Sequence, residues 1–271
     1  MPQRFTLAIL ICFGFLLVTA CSGKAQAQKN DGSLDWLMAN HIEALGGEKA
    51  LNAIHSREIV TTSTGQRYPE VSFQKKSRTY IDRDGRYYTE TFHRENSDDD
   101  YQMQNRFAIL PTGGWQVGGA DSKGTKIPAE MAGPMIQNQV DLNLGFPVNY
   151  RMLTAGYRLK RLGDIEEAGT NYHRLQMGDN QSTMIYYINT DSLMMDKYVN
   201  DLSNSSMLDG FKIEETFSDY RKVRGTMFPH SFTMTMISEL DRNNKTETST
   251  VHEIRINKPF DDVLFEFPDL P

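Results

Sequence analysis

Cysteine is almost absent: among 271 residues there are only Cys12 and Cys21. Two cysteines cannot build a disulfide scaffold or a four-cysteine zinc module. Positive charge is also short. Lys and Arg total 29 against 35 Asp and Glu, for a formal net charge of −6. A nucleic-acid binder needs a basic surface to neutralise phosphates, so that class is disfavoured. There is one long apolar run, residues 5–18, and the mean hydropathy of −0.53 argues against a bundle of membrane helices. Signatures of catalysis are missing too. No G-x-S-x-G elbow or H-E-x-x-H helix occurs, and His252-Glu253 runs on into Ile254, Arg255 and Ile256. The six histidines (His41, His55, His93, His173, His230, His252) are scattered without metal-ligand spacing. Glu166-Glu167 and Glu214-Glu215 put adjacent carboxylates on opposite faces of an extended strand, so neither is a catalytic pair. No constellation for catalysis assembles, and no enzyme activity, metal or cofactor is expected. Aromatics are plentiful: 14 Phe, 12 Tyr and 2 Trp supply the apolar area for a real core.

Residues 1–20, MPQRFTLAILICFGFLLVTA, read as an export signal: Arg4, an apolar stretch from Phe5 to Val18, then small residues. Val18-Thr19-Ala20-Cys21 resembles a bacterial lipobox, which makes Cys21 the lipid attachment point. The alternative is an ordinary secretory signal cut after Ala25-Gln26-Ala27. Both readings export the protein. The lipobox reading discards Cys12, excludes an internal disulfide and leaves the chain one unit more acidic. Two or three acyl chains on Cys21 give a stable anchor where one does not. An acidic body adds no attraction to anionic headgroups, so the anchor has to hold it. By resemblance to the lipoprotein sorting rule, Ser22 favours the outer membrane. Residues 21–32 form a small, polar tether.

Residues 33–54 carry the clearest helical pattern. Ser33 is a good N-cap, and Leu34, Leu37, Met38, Ile42 and Leu45 form one apolar stripe. Gly46-Gly47 breaks it before a second short helix. The stripe packs on a core or lids a cavity. Strands follow: EIVTTST, EVSFQKKS and RYYTETFHR are β-branched and aromatic, with Asp84-Gly85 as a hairpin turn and Asp98-Asp99-Asp100 as another. Asp82 and Asp84 lack the other ligands of a calcium loop and read as a solvated turn. Residues 111–156, rich in Gly and Pro, read as an insertion of helix and loop, with Met131, Met135, Ile136 and Val140 on one face. From Tyr157 to Phe267 strands return at even spacing, separated by turns such as Glu166–Gly169, Gly178–Asn180, Asn189–Asp191, Leu208–Gly210 and Asp241–Asn244. This is a mainly β chain, an antiparallel meander that curls into a barrel or half-barrel. A transmembrane barrel is disfavoured. The strands read as about six to eight residues, short of the ~9–11 that cross a bilayer, and FKIEETF is too charged to face lipid.

Four stretches, in order, resemble the LolA/LolB-like outer-membrane lipoprotein-sorting superfamily: HIEALGGEKALNAIHSREIV (41–60), YYINTDSLMMDKY (186–198), FSDYRKVRGTMFPHSF (217–232) and INKPFDDVLFEFP (256–268). The resemblance spans most of residues 33–268. It implies an unclosed, strongly curved antiparallel half-barrel, with helices over the concave face enclosing a cavity for acyl chains. The lipobox is like LolB rather than the unlipidated carrier LolA. No position matches LolB's protruding apolar loop or LolA's cavity arginine.

Along SFTMTMIS, Phe232, Met234 and Met236 share one face; along TMIYYIN, Met184, Tyr186 and Ile188 do. Fourteen methionines suit a surface that accepts variable aliphatic shapes, and equally suit irregular core gaps. With Leu37 and Met38 of the helical stripe, these six are the candidate ligand-binding residues. Period 2 does not decide which face points inward. The sequence therefore supports residues 33–271 as a LolA-like domain of an envelope lipoprotein that binds lipid or lipoprotein acyl chains. The second reading is a structural scaffold for an envelope protein partner.

Overall fold

The computed structural model describes residues 32–68, 71–96, 98–118, 124–132, 158–178, 183–201, 211–238 and 244–268. The export signal, Cys21 and almost all of the tether lie outside the described residues, as do Met135, Ile136 and Val140.

Ser33 caps the first helix, its hydroxyl accepting from the Trp36 amide at 3.0 Å. Helix α1 spans Leu34–Ala44, and Gly46 and Gly47, at φ of 121° and 86°, turn the chain into α2, Glu48–Asn52. Helices this short do not hold themselves together, so packing on the sheet must stabilise them.

Among the described residues, fourteen strands make one antiparallel sheet. In chain order they are β1 Ser56–Tyr68, β2 Val71–Asp82, β3 Tyr87–Arg94, β4 Gln102–Leu110, β5 Gly113–Gly118, β6 Thr125–Ile127 and β7 Arg158–Arg161. The rest are β8 Ile165–Glu167, β9 Thr170–Gly178, β10 Thr183–Asn189, β11 Met195–Asp201, β12 Phe211–Val223, β13 Thr226–Ser238 and β14 Lys245–Ile256. The spatial order is β6-β5-β4-β3-β2-β1-β14-β13-β12-β11-β10-β9-β7, with β8 also on β9. Its ends do not pair, so the sheet is an open, curved half-barrel. Register shifts at Val60/Thr61, Thr91/Phe92 and Tyr187/Ile188 bend it.

Three expectations are corrected. The central strands are long: β1, β12 and β13 have 13 residues, β2 and β14 have 12. Polar residues occur on both of their faces, with Thr61, Ser63, Ser77 and Thr79 on the cavity side, and so these stretches resemble turns in the sequence. Strand length therefore does not argue against a membrane barrel; the unpaired edges do. Residues 111–156 do not begin as helix and loop, because they open with β5 and β6. Gly114 sits where a Cβ would meet the Ala108 carbonyl oxygen at 2.3 Å, which is why this strand is written with glycine. Finally, Glu166 and Glu167 belong to β8, and the turn is Ala168-Gly169 alone.

Each face is covered differently. On the inner face, α1 packs Trp36, Leu37 and Met38 onto Leu175, Met177, Tyr186 and Ile188 of β9 and β10. On the outer face, the C-terminal segment lays Phe260, Leu264 and Phe265 over Tyr80, Tyr88 and Trp115. Phe260 stacks on Tyr80 at 3.8 Å, and Trp115 Nε1 donates to the Phe265 carbonyl at 3.0 Å.

Candidate ligand-binding face

The inner face has a filled part and an open part. Under α1 the packing is complete, with Leu37 and Met38 fully buried. His41 adds a polar tie, its Nδ1 lying 2.6 Å from the Leu193 carbonyl in the β10–β11 turn. Burial lowers the His41 pKa, and this hydrogen bond offsets part of the shift. At the start of α1, Trp36 meets His173 edge-on at 5.5 Å, and the Arg161 guanidinium lies over its ring. Asp164 Oδ1 is 3.0 Å from His173 Nδ1. Partial burial works against the Asp164 carboxylate, but hydrogen bonds from His173 and Arg161 hold its pKa below the usual value.

The open part is a cavity of about 300 Å³ that crosses five adjacent strands, β3, β2, β1, β14 and β13. That is near the lower end of the usual range for small-molecule sites. Ile59, Ile81, Tyr87 and Phe232 supply its apolar wall. Arg57 and Glu247 bring charge, and serine and threonine hydroxyls fill the rest. Burial pulls the Arg57 pKa down to about 10, so the group stays cationic at neutral pH. Its guanidinium sits 5.6 Å from the Phe228 ring centroid. Lys75 pairs with Glu247 at 2.5 Å. Two further depressions, of about 390 and 690 Å³, lie toward the other ends of these strands. They are lined by polar groups such as Gln66, Asn244, Asp98 and Asp99, with Phe73 the one large apolar side chain. They offer little for an apolar ligand.

An aromatic track joins the cavity to the cluster under α1. Phe232 of β13 is registered against Phe217 of β12. The Phe217 ring is 5.9 Å from Tyr198 on β11, which is 6.0 Å from Tyr186 on β10. Glu215 lies on this same face, registered between Tyr198 and Met234. Burial raises its pKa above the ordinary carboxylate value, and its hydrogen bond with Tyr198 opposes that shift.

The candidate residues thus fall in two groups. Leu37, Met38, Tyr186 and Ile188 are buried in the α1 cluster, with Met184 packed against it. Phe232 lines the cavity, and Met234 and Met236 continue the same strand face, half-buried. The sequence reading missed Arg57 and the hydroxyl lining. The signal was there in the alternation Arg57, Ile59, Thr61, Ser63, but such a row reads equally as a face turned to water. No cluster of metal-ligating side chains occurs among the described residues, and none of the described helices is long and apolar enough to cross a membrane.

Solved structures share this architecture. A LolA superfamily protein from Nitrosomonas europaea superposes with a TM-score of 0.52 at 11% identity, over 83% of this chain and 96% of its own. A DUF1329 family protein from Desulfovibrio piger matches with a TM-score of 0.52 at 12% identity, over 86% of this chain and 96% of its own. The fold is LolA-like. No family model and no curated protein matches the chain.

Proposed function

We propose that this is an envelope lipoprotein that binds the acyl chains of a lipid or lipoprotein on the inner face of its half-barrel, without covalent chemistry. One observation carries the reading: the aromatic track from the 300 Å³ cavity to the cluster beneath α1. An acyl chain entering the cavity meets Phe232, Met234 and Met236 first. It reaches Met184, Tyr186 and Ile188 only when α1 lifts Leu37 and Met38 away. Burial at about 25 cal/mol per Å² of apolar surface drives the binding. Cys21 anchors the domain in the outer membrane, and residues 22–32 tether it. Carriage, acceptance and sorting of lipid or lipoprotein all fit this arrangement.

Purification without detergent exchange, followed by lipid extraction and mass spectrometry, tests the reading. Stoichiometric acylated lipid is expected. Ile59→Trp, which narrows the cavity, should weaken binding of a fluorescent fatty-acyl probe and leave the fold intact. A clean protein that binds no such probe overturns the reading. The packed cluster under α1 favours a second reading, a scaffold for an envelope protein partner. A stable co-purifying protein in place of lipid would support that one. Cys21→Ala tests the anchor: it should release the protein from membranes and remove the acyl mass.

A further inference from the structure

The cavity wall does not suit a purely apolar guest. Six hydroxyls line it, from Thr61, Ser63, Ser77, Thr79, Thr89 and Ser249. Five of the six take part in cross-strand pairs, Ser77 with Thr91 just beyond the lining. Ser63 and Ser249 Oγ lie 2.7 Å apart, Thr79 and Thr89 Oγ1 lie 3.1 Å apart, and Ser77 Oγ is 3.2 Å from Thr91 Oγ1. A hydroxyl carries one donor and two lone pairs, so each pair keeps a donor and spare acceptors after bonding to itself. Ser63 and Ser249 are buried, and the others are half-buried. Hydroxyls withdrawn from bulk water cost free energy unless they find partners. The lining is also segregated. The hydroxyls sit on β1, β2, β3 and β14, whereas the aromatic track runs through β13, β12, β11 and β10. Charge is sparse: Glu247 is held by Lys75, and Arg57 lies over Phe228.

We infer that the cavity is a head-group site, and that its ligand is an amphiphile with an uncharged, hydroxyl- and ester-rich head, as in an acylglycerol. The head lies on the hydroxyl floor of β1–β3 and β14. The acyl chain leaves past Phe232 along Phe217 and Tyr198. This rests on the acyl-binding reading above and adds the class and orientation of the ligand.

The experiment uses the delipidated full chain and three competitors of equal acyl length: 1-monomyristoylglycerol, methyl myristate and myristate. Each displaces a fluorescent acyl probe. The monoacylglycerol should bind about tenfold tighter than the methyl ester, as two added hydrogen bonds allow. Thr79→Val with Ser77→Ala should reduce that preference to within about twofold and leave the methyl ester unchanged. Thr79→Ser should retain it, and Thr89→Val alone should lower it if the double variant folds poorly. Equal binding of all three competitors overturns the inference and leaves the acyl-binding reading standing. Tightest binding of myristate, lost in Arg57→Gln, also overturns it, because the head would then be a carboxylate. Failure of every probe overturns both.

Discussion

His41 on α1 and the backbone of Leu193 meet at 2.6 Å, and this contact pins the helix over the inner face. Burial lowers the His41 pKa from 6.5, so the released or unfolded state takes up a proton first. The stabilisation is therefore complete above about pH 6.5 and is lost progressively as the pH falls below it. The protection factors of the α1 amides, corrected for the intrinsic pH dependence of exchange, should fall between pH 7.5 and 5.5 more than those of β12. His41→Gln, which keeps a donor for Leu193, should flatten the profile. Protection of α1 in the natural protein that does not change with pH would refute the assignment.

Glu215 has the opposite sign. Its raised pKa means that the folded state holds its proton more tightly than the unfolded chain. That destabilisation grows as the pH rises above the ordinary value of 4.5 and disappears on acidification. Glu215→Gln keeps an acceptor for Tyr198 and should raise the melting temperature at pH 7, roughly 2–4 °C per kcal/mol recovered. The gain should shrink toward pH 4. A variant less stable at neutral pH than the parent would show that the carboxylate is compensated there.

Asn257 holds the start of the C-terminal segment. Its Oδ1 accepts from the amides of His55 at 2.7 Å and Ser56 at 3.1 Å, and its Nδ2 donates to the Ala53 carbonyl at 2.6 Å. It also adopts φ of 56°, where asparagine is tolerated. Asn257→Ala should cost about 2–3 kcal/mol in urea unfolding. Asn257→Asp should also destabilise, because it keeps both acceptor contacts but sets a carboxylate oxygen against the Ala53 carbonyl.

Gly46 and Gly225 give a graded pair. A Cβ on Gly46 would meet the Gly225 carbonyl oxygen at 2.2 Å, at φ of 121°. A Cβ on Gly225 would make only an ordinary 3.8 Å contact with Ala50, at φ of 95°. Gly225→Ala should cost about 1–2 kcal/mol from backbone strain alone. Gly46→Ala should cost more, and it should also break the 2.9 Å hydrogen bond from Met227 N to the Leu45 carbonyl. Comparable losses in the two variants would refute the close-approach argument.

On the outer face, Glu58 is almost fully buried between Arg78 and Arg255, with Arg255 Nη1 at 3.1 Å. Both arginines are about a third exposed, so solvent screens the network. Glu58→Ala should cost about 2–3 kcal/mol, below the ~3–5 of a fully buried pair. Added salt should soften the loss.

Much of the fold was legible because its signals are local. The Ser33 cap, the Gly46-Gly47 break and the Asp84-Gly85 turn each act within a few residues. The Asn189 side chain, accepting from the Asp191 and Ser192 amides, shows why Asn189–Asp191 reads as a turn. Strands β5 and β6 were not legible. Gly113-Gly114 has the composition of a loop, and only the close approach of Ala108 explains it. The site was half legible. The face shared by Phe232, Met234 and Met236 follows from period 2. That Leu37 and Met38 fill their part of the face follows from the meeting of α1 with β9 and β10. The hydroxyl floor was hidden because alternating Ser and Thr describe a wet outer face equally well.

The strand order places β1 beside β14, in the middle of the sheet. Arg255 and Glu58 bond across that seam, 197 residues apart in sequence. During synthesis, β1–β6 and β7–β13 can each pair as a run of neighbours, but no strand pairing joins the two runs until β14 emerges, and only α1, packed on β9 and β10, links them earlier. The five-strand cavity straddles this seam. The cavity half of the binding face therefore waits for β14, and a chain truncated before β14 would lose its centre rather than an edge.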